Sequence, residues 1–345
     1  MEQISLKAFD STPSTRSDRP LQIALFLTSA AWFFASQSLA GRAATGLSVR
    51  FGLSDERPLI AVLFLLFLLG LGFSFLQTIA HRSSSWREAL GLPSRPTAAR
   101  EWGIGAAIGW GLVVLAVLPM ALAGALHVDL WLAPRAFWLV ILNLLTLAVS
   151  ALVEEVAFRG YPFRRLINAI GPTAATILLS LFFGLLHAFN PDATWISVLI
   201  TVFAGVLLSI AWLRTHGLWL GWGLHFAWNA SMGILLGLPV SGITDFSSVV
   251  QTRAIGRYWL TGGEYGPEAA LFTLPVLVIG MIVLFYCTED YAWNYTRKPI
   301  VAAGYPIDVP PPAAHTAMEQ EVKPPSLVQI LPATPPNDSV DEPRS

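Results

Sequence analysis

Long apolar stretches separated by short polar segments make up most of the chain. We identify eight of these stretches, and most are close to the roughly 20 apolar residues that a helix needs to cross a bilayer. They cover residues 21–40, 58–80, 102–123, 136–165, 172–189, 195–213, 218–236 and 269–288. The pattern predicts an all-α fold, a polytopic transmembrane helix bundle with about eight spanning helices.

Polar segments without this pattern flank the apolar region. Residues 1–20 are rich in Ser, Thr and Pro, and residues 296–345 are rich in Pro and have no periodic apolar face. Segments of such composition bury too little apolar surface to order themselves. We therefore expect a mobile N-terminal tail and a disordered C-terminal tail around a transmembrane domain at 21–295.

The first apolar stretch also allows a second interpretation, because "SLA" before Gly41 could be the cleavage site of a signal peptide. Its apolar run is long, however, and a polar lead of about twenty residues precedes it. These two features favour a retained helix.

Composition agrees with a membrane protein, since 54% of the residues are hydrophobic and 12% are charged, against about a quarter charged in soluble domains. The predicted partner is the lipid bilayer. A net charge of -1 gives no basic field that would attract nucleic acid. Cys287 is the single cysteine, which excludes an internal disulfide and a cysteine zinc cluster. Because it stands in an apolar run, we expect it to be a small packed residue.

The distribution of Lys and Arg predicts the orientation, because these residues are more frequent in cytoplasmic loops. With both termini inside, twelve basic residues lie on the inside: Lys7, Arg16, Arg19, Arg82, Arg87, Arg95, Arg100, Arg164, Arg165, Arg214, Arg297 and Lys298. Six lie outside: Arg42, Arg50, Arg57, Arg135, Arg253 and Arg257. We therefore expect cytoplasmic termini, in a multi-pass protein of a bacterial inner membrane.

The fourth apolar stretch ends in an unusual group of charges, in the segment "SALVEEVAFRGYPFRR". Glu155 and Arg159 are four residues apart and can pair on one face of a helix, whereas Glu154 is turned away from them. A carboxylate inside a membrane costs several kcal/mol unless it is paired or faces a wet cavity, so it marks a functional candidate. The alternative is a buried structural network of all three charges. The stretch is also longer than the apolar core of a bilayer, and Pro162 predicts a kink.

Two later stretches supply polar groups at a similar depth. They place His187 in "LFFGLLHAFNP", and His225 and Asn229 in "GLWLGWGLHFAWNAS". Singly, each of these residues could serve only as a hydrogen-bonding group between helices. Together with Glu154 they suit the activation of water, with Glu154 as general base, His187 orienting the water, and N–H groups of His225 and Asn229 stabilising an oxyanion.

A metal centre is the rival chemistry within the enzyme class. Glu154, His187 and His225 could be three zinc ligands, with water as the fourth. The HExxH spacing of common zinc proteases is absent, however.

Three motifs in this order resemble those of the CPBP family of intramembrane proteases. They are EExxxR at residues 154–159, FxxxH at 183–187 and HxxxN at 225–229. The family includes type II CAAX prenyl endopeptidases and bacteriocin-immunity proteins. The resemblance covers about residues 140–268, and we place the protease core at about 134–290.

The resemblance implies a role for each matching residue. Water would be activated by Glu154 and His187, the oxyanion hole would be formed by His225 and Asn229, and support would come from Glu155 and Arg159. It leaves open whether a zinc ion takes part. It also implies a peptide or membrane-protein substrate, which could be lipidated.

Three hypotheses for the function follow. The first is an intramembrane endopeptidase acting near the cytoplasmic face. The second is a non-catalytic immunity or scaffold protein that binds through its helices. The third is a small-solute or proton transporter, since buried Glu and His also mark proton relays. Paired half-helices or repeats, which are typical of many transporters, are not visible in the sequence.

Overall fold

The computed structural model describes residues 19–80 and 86–288, which form an almost entirely helical bundle. Its helices are α1 (Arg19–Phe51), α2 (Arg57–Ala80), α3 (Trp86–Leu90), α4 (Ala98–Leu122), α5 (Pro134–Arg159), α6 (Tyr161–Ile170), α7 (Pro172–His187), α8 (Trp195–Thr215), α9 (Trp219–Ala230), α10 (Tyr258–Thr261) and α11 (Thr273–Cys287). A π-helical turn, Ser231–Leu235, continues α9, and the turns Gly263–Tyr265 and Pro267–Ala269 are 3-10 helical. The predicted all-α, polytopic fold is confirmed.

Within the described ranges, five helical segments are long and apolar enough to cross a membrane: α1, α2, α4, α5 together with α6, and α8. The other three predicted spans form shorter helices, since α7 has 16 residues, α11 has 15 and α9 has 12. Helix α7 starts at Pro172, where its apolar stretch starts, and the π-helical turn continues α9 to within one residue of the end of its stretch. The chain is an integral membrane protein, but apolar length alone did not determine how long each helix became.

Most of the two predicted tails lies outside the described residues, which begin at Arg19 and end at position 288. The first helix is longer than its apolar stretch, because α1 passes through Gly41 without a break and ends at Phe51.

One prediction about packing is wrong. Cys287 is exposed at the end of α11 rather than packed. The neighbouring Phe285 and Tyr286 are exposed as well. In a bilayer the outer face of a helix is as apolar as its packed face, so an apolar run does not show which face a residue occupies.

The break that Pro162 predicts is present, two residues earlier. Helix α5 ends at Arg159, Gly160 adopts a non-helical ψ of -127°, and α6 begins at Tyr161. Pro162 stands in the first turn of α6, where a missing N–H costs nothing. A side chain on Gly160 would meet the carbonyl oxygens of Val156 and Leu90, so glycine allows the chain to turn there.

A small sheet lies among the helices and had no signal in the sequence. Strands β1 (Leu126–Leu130) and β2 (Val250–Ala254) pair antiparallel, with Val128 opposite Thr252. The strands have five residues each and lie far apart in the chain, so alternation in either one is too short to be recognised.

The bundle has two ends, which we name by their contents. At the arginine end, the loop 91–97 meets the turn 216–218, and Arg164 on α6 donates to the carbonyl oxygens of Glu88 and Ala89 on α3. Arg95 donates to the carbonyl oxygen of Thr215 at 2.7 Å, and the amide of Leu218 donates to Gly91 at 2.9 Å. At the hairpin end lie the segments 52–56, 123–133, 188–194 and 236–272, where Arg135 pairs with Asp55.

Close packing of α4 on α9 provides a test of the fold. A Cβ on Gly105 would overlap backbone atoms of Leu220 on α9, whereas a Cβ on Gly103 would meet nothing within 4 Å. We expect Gly105→Ala to lower the unfolding temperature in detergent by an amount equivalent to about 1–3 kcal/mol, the usual cost of overpacking. Gly103→Ala on the same helix is the control, and equal unfolding temperatures for the two variants would contradict this packing.

Candidate active site

The charges at the end of α5 form a buried cluster. Arg159 donates to Glu155 Oε1 at 3.2 Å, and both side chains are 1% exposed. Arg159 also donates to the carbonyl oxygen of Gly205 on α8 at 3.2 Å, and its guanidinium lies 4.5 Å from the ring centre of Phe183 on α7. The pair that the four-residue spacing predicts therefore forms, and it links α5 to two further helices.

His225 on α9 lies between the two carboxylates. Its Nδ1 is 2.9 Å from Glu155 Oε1, and its Nε2 is 3.7 Å from Glu154 Oε2. A ring N–H must donate to the carboxylate, so Glu155 fixes the proton on Nδ1 and turns Nε2 towards Glu154. Sequence reasoning missed this second task of Glu155, because the contact joins two helices that are distant in the chain.

Glu154 differs from its neighbour in exposure and in partners. Its side chain is 34% exposed, against 1% for Glu155. Its Oε2 is buried and accepts no hydrogen bond from the described part of the chain, as is also true of Glu155 Oε2, but Glu155 has hydrogen bonds at its Oε1. A buried carboxylate oxygen without a hydrogen bond costs free energy unless water or a ligand reaches it. This is the condition expected of a carboxylate that accepts a proton from water.

His187 is the last residue of α7 and is half-buried. Its Nδ1 lies 2.8 Å from the carbonyl oxygen of Phe183, one turn earlier. A carbonyl can only accept, so Nδ1 carries the proton and Nε2 keeps its lone pair in the neutral ring. The FxxxH spacing therefore has a local role, because the backbone carbonyl of Phe183 sets the tautomer of His187. The ring of Phe183 also covers the guanidinium of Arg159.

A cavity of about 440 Å³ joins these groups. Glu154, His187, His225 and Asn229 all line it, and its volume is in the range of ligand sites. The structure thus brings together the four residues that the motifs single out, from three helices.

The zinc alternative concerns Glu154, His187 and His225. Among the residues that the structure describes, no group of three His, Cys, Asp or Glu side chains is arranged to hold a metal ion. A catalytic zinc requires three protein ligands at roughly 2.0–2.2 Å from the metal. Zinc binding by Glu154, His187 and His225 therefore stays a prediction, and the chelator in the cleavage assay tests it.

Glu268 is a further polar residue of the cavity wall, and sequence reasoning did not select it. Its Oε1 accepts from Trp228 Nε1 on α9 at 2.8 Å, and its Oε2 accepts from Ser241 Oγ at 2.8 Å and from the Ser241 amide. Asn190, after α7, donates to the carbonyl oxygen of Ser241 at 3.0 Å. These bonds hold the loop around Ser241 over the cavity. The sequence gives no sign of them, because the donors and the Glu268 carboxylate are far apart in the chain and meet only in the folded protein.

The contacts of Glu268 predict an effect on activity. Glu268→Gln removes the charge and leaves one oxygen for three donors, so we expect the loop to loosen. A charge-assisted hydrogen bond is worth about 1.5–3 kcal/mol, and losing one would lower kcat/KM roughly 10-fold or more. Peptide cleavage measures the loss. Glu264→Gln is the matched control, because Glu264 is exposed in the same loop, and equal activity of both variants would contradict the role of Glu268.

The fold and the site define a class, a helical membrane protein with paired carboxylates, two histidines and an asparagine around an internal cavity. A family model described as type II CAAX prenyl endopeptidase Rce1-like matches residues 134–231. The match runs from the start of α5 to the end of α9 and contains all three motifs, which confirms that this part of the chain resembles the protease family recognised from the sequence. None of the curated proteins and none of the solved structures matches the chain.

Proposed function

We propose that the protein is an intramembrane endopeptidase that hydrolyses peptide bonds with water activated by Glu154 and His187. One observation carries the proposal. The unpartnered oxygen of Glu154 faces Nε2 of His225 at 3.7 Å, in a cavity that His187 and Asn229 also line. The Rce1-like match at residues 134–231 supports the same reaction class.

The chemistry begins with a water molecule between Glu154 and His187. Glu154 takes a proton from the water as general base, while the lone pair of His187 Nε2 orients it. The water oxygen forms a bond to the carbonyl carbon of the peptide, and a tetrahedral intermediate with one negative oxygen results. Glu154 then gives its proton to the leaving nitrogen, the C–N bond breaks, and a carboxylic acid and an amine are released.

The negative oxygen of the intermediate needs hydrogen-bond donors. His225 offers Nε2–H when that nitrogen is protonated, and the side-chain amide of Asn229 offers two N–H groups. Glu155 holds the other nitrogen of His225, and Arg159 holds Glu155. The two supporting residues thus position the donor without touching the substrate.

Asn229 provides a specific test of the oxyanion hole. Asn229→Ala removes two donors from the cavity wall, and the loss of one such donor typically lowers kcat about 10²–10³-fold. We expect this loss in kcat with a much smaller change in KM, because the donors act mainly on the intermediate. A variant that changes KM alone would show that Asn229 only binds substrate.

The substrate class is proposed as a peptide or membrane protein, with or without a lipid group. The assay uses detergent-purified protein with two probes, a quenched fluorescent prenylated CAAX peptide and fluorescently labelled β-casein. Each is measured with and without a chelator, and wild type is compared with the Asn229→Ala variant. Cleavage by wild type that falls in the variant supports the proposal, whereas equal rates in both would assign the activity to a contaminant. Cleavage of neither probe would favour the non-catalytic or transport alternatives, and flux into proteoliposomes would then separate those two.

A further inference from the structure

The cavity at Glu154 extends beyond the four motif residues to one face of α8. Five residues of this helix line it: Ile200, Thr201, Ala204, Leu207 and Leu208. An α-helix turns by about 100° per residue, so the five cover roughly 120° of its surface, with Ala204 at the centre. Val206 does not line the cavity, and it lies roughly 160° away from Ala204 on the opposite face of the helix.

The centre of the lining face has a notch at Ala204. The longer side chains around it, those of Ile200, Leu207 and Leu208, are 3%, 1% and 4% exposed. Ala204 has the shortest side chain of the five, yet it is only half-buried. Because the surrounding side chains of its own helix are buried, the accessible surface of Ala204 belongs to the cavity. Space is therefore left above its methyl group, and a longer side chain at this position would fill it.

The walls of the notch are apolar. Opposite α8, the cavity is lined by Leu224 on α9 and Leu277 on α11, which are 3% and 2% exposed. The hydroxyl of Thr201 donates to the carbonyl oxygen of Ser197 at 2.8 Å, so it is not free for a ligand. A polypeptide backbone in such surroundings would lose its hydrogen bonds to water at a cost in free energy, whereas an apolar side chain gains by leaving water.

Another part of the cavity wall reaches the outer surface of the bundle. Phe189 lines the cavity and is 87% exposed, and Gln37, also in the wall, is exposed. The main chain of a substrate can therefore extend outward there, while the closed notch has room for a side chain only.

The notch is connected to the reacting groups through the helices that form it. Gly205, the next residue after Ala204, accepts a hydrogen bond from Arg159 at its carbonyl oxygen at 3.2 Å. Arg159 in turn holds Glu155, which holds His225. Leu224 in the opposite wall directly precedes His225 in the chain. A side chain in the notch therefore belongs to a substrate residue next to the bond that is cleaved.

From these observations we propose that the notch above Ala204 is a specificity pocket. It takes one large apolar side chain, such as that of leucine, from the residue beside the scissile bond, and Ala204 sets the size that fits. The inference rests on the proposed endopeptidase function and deepens it, because it names the substrate class as polypeptides with a large apolar residue at the cleavage site. Ala204 determines specificity and takes no part in the hydrolysis itself.

The positions at which β-casein is cut test the pocket. Detergent-purified wild type, Ala204→Leu and Val206→Leu are compared, and mass spectrometry identifies the cleaved bonds. In wild type, bonds beside leucine, methionine or phenylalanine should be cleaved at least about 10-fold faster than bonds beside glycine, alanine or serine, as expected of an apolar pocket. In Ala204→Leu this preference should fall at least about 10-fold, because the new side chain occupies the notch.

The control, Val206→Leu, enlarges a side chain on the opposite face of α8 and should keep the wild-type preference. Bonds beside small residues should still be cleaved by Ala204→Leu. An unchanged preference in Ala204→Leu, or an equal loss at all bonds, would overturn the inference and leave the peptidase standing.

A second measurement does not depend on hydrolysis. Cys287 is the single cysteine and is exposed, so the background is Cys287→Ala, with Glu154→Gln added to prevent cleavage. Ala204→Cys is treated in detergent with a small water-soluble methanethiosulfonate, in the presence of one of two polar peptides that differ only in a central leucine or alanine. The leucine peptide should protect the thiol at a concentration at least about 10-fold lower than the alanine peptide.

Val206→Cys is the control for protection, because neither peptide should change its rate of modification. Equal protection of Ala204→Cys by both peptides, or protection by neither, would overturn the inference. Selective protection without any cleavage of β-casein by wild type would support the pocket and contradict the peptidase alone.

Discussion

Glu154→Gln should abolish peptide cleavage while the protein remains folded. The glutamine has the same size as the glutamate, but it cannot take a proton from water. General base catalysis contributes typically 10²–10⁴-fold, so we expect kcat/KM for a peptide probe to fall by at least about 100-fold. The carboxylate is 34% exposed and its Oε2 has no hydrogen-bond partner among the described residues, and its replacement therefore breaks no hydrogen bond of that oxygen.

The control for this variant is Glu264→Gln, the same chemical change at an exposed position of the hairpin end. Gel filtration and the unfolding temperature in detergent should be equal for wild type and both variants. If Glu154→Gln kept more than about a tenth of the wild-type kcat/KM, Glu154 would not be the general base, and another group of the cavity would have to take the proton.

Arg159→Met should destabilise the protein strongly. The substitution leaves the Glu155 charge in a site where only 1% of its side chain is exposed. Breaking a buried ion pair from one side typically costs about 3–5 kcal/mol, because the remaining charge is uncompensated. The loss also removes the bond to Gly205 on α8 and the contact with the Phe183 ring. The measurement is the unfolding temperature of the purified protein in detergent.

An exposed pair provides the comparison for this prediction. Arg135 binds Asp55 at 2.8 Å, with 64% of the arginine side chain exposed, and such surface pairs contribute about 0–1 kcal/mol. Arg135→Met should therefore change the unfolding temperature little. Adding Glu155→Gln to Arg159→Met should restore part of the lost stability, since it removes the unpaired charge. Equal unfolding temperatures for the two single arginine variants would contradict the buried cluster.

The local relations of the site were predictable because they depend on helical spacing. The pairing of Glu155 with Arg159, the separate position of Glu154 and the break near Pro162 all follow from residues within two turns of one another. Likewise, the gathering of Glu154, His187, His225 and Asn229 could be expected from their similar depth, because the bilayer restricts helices to one direction. The number of helices that span the membrane was less predictable, since α7, α9 and α11 are apolar but have only 16, 12 and 15 residues.

By itself, the sequence determined that this chain lies in a membrane as a helix bundle, which charges pair along α5 and which three motifs carry the candidate chemistry. These properties depend on composition and on neighbours within a few residues. Only the tertiary structure decided that Glu155 holds His225, that Glu268 holds the loop over the cavity, that Cys287 faces outward and that β1 pairs with β2. Each of these depends on contacts between segments far apart in the chain, and the apolar surroundings of a membrane helix give no local signal for which neighbour it will meet.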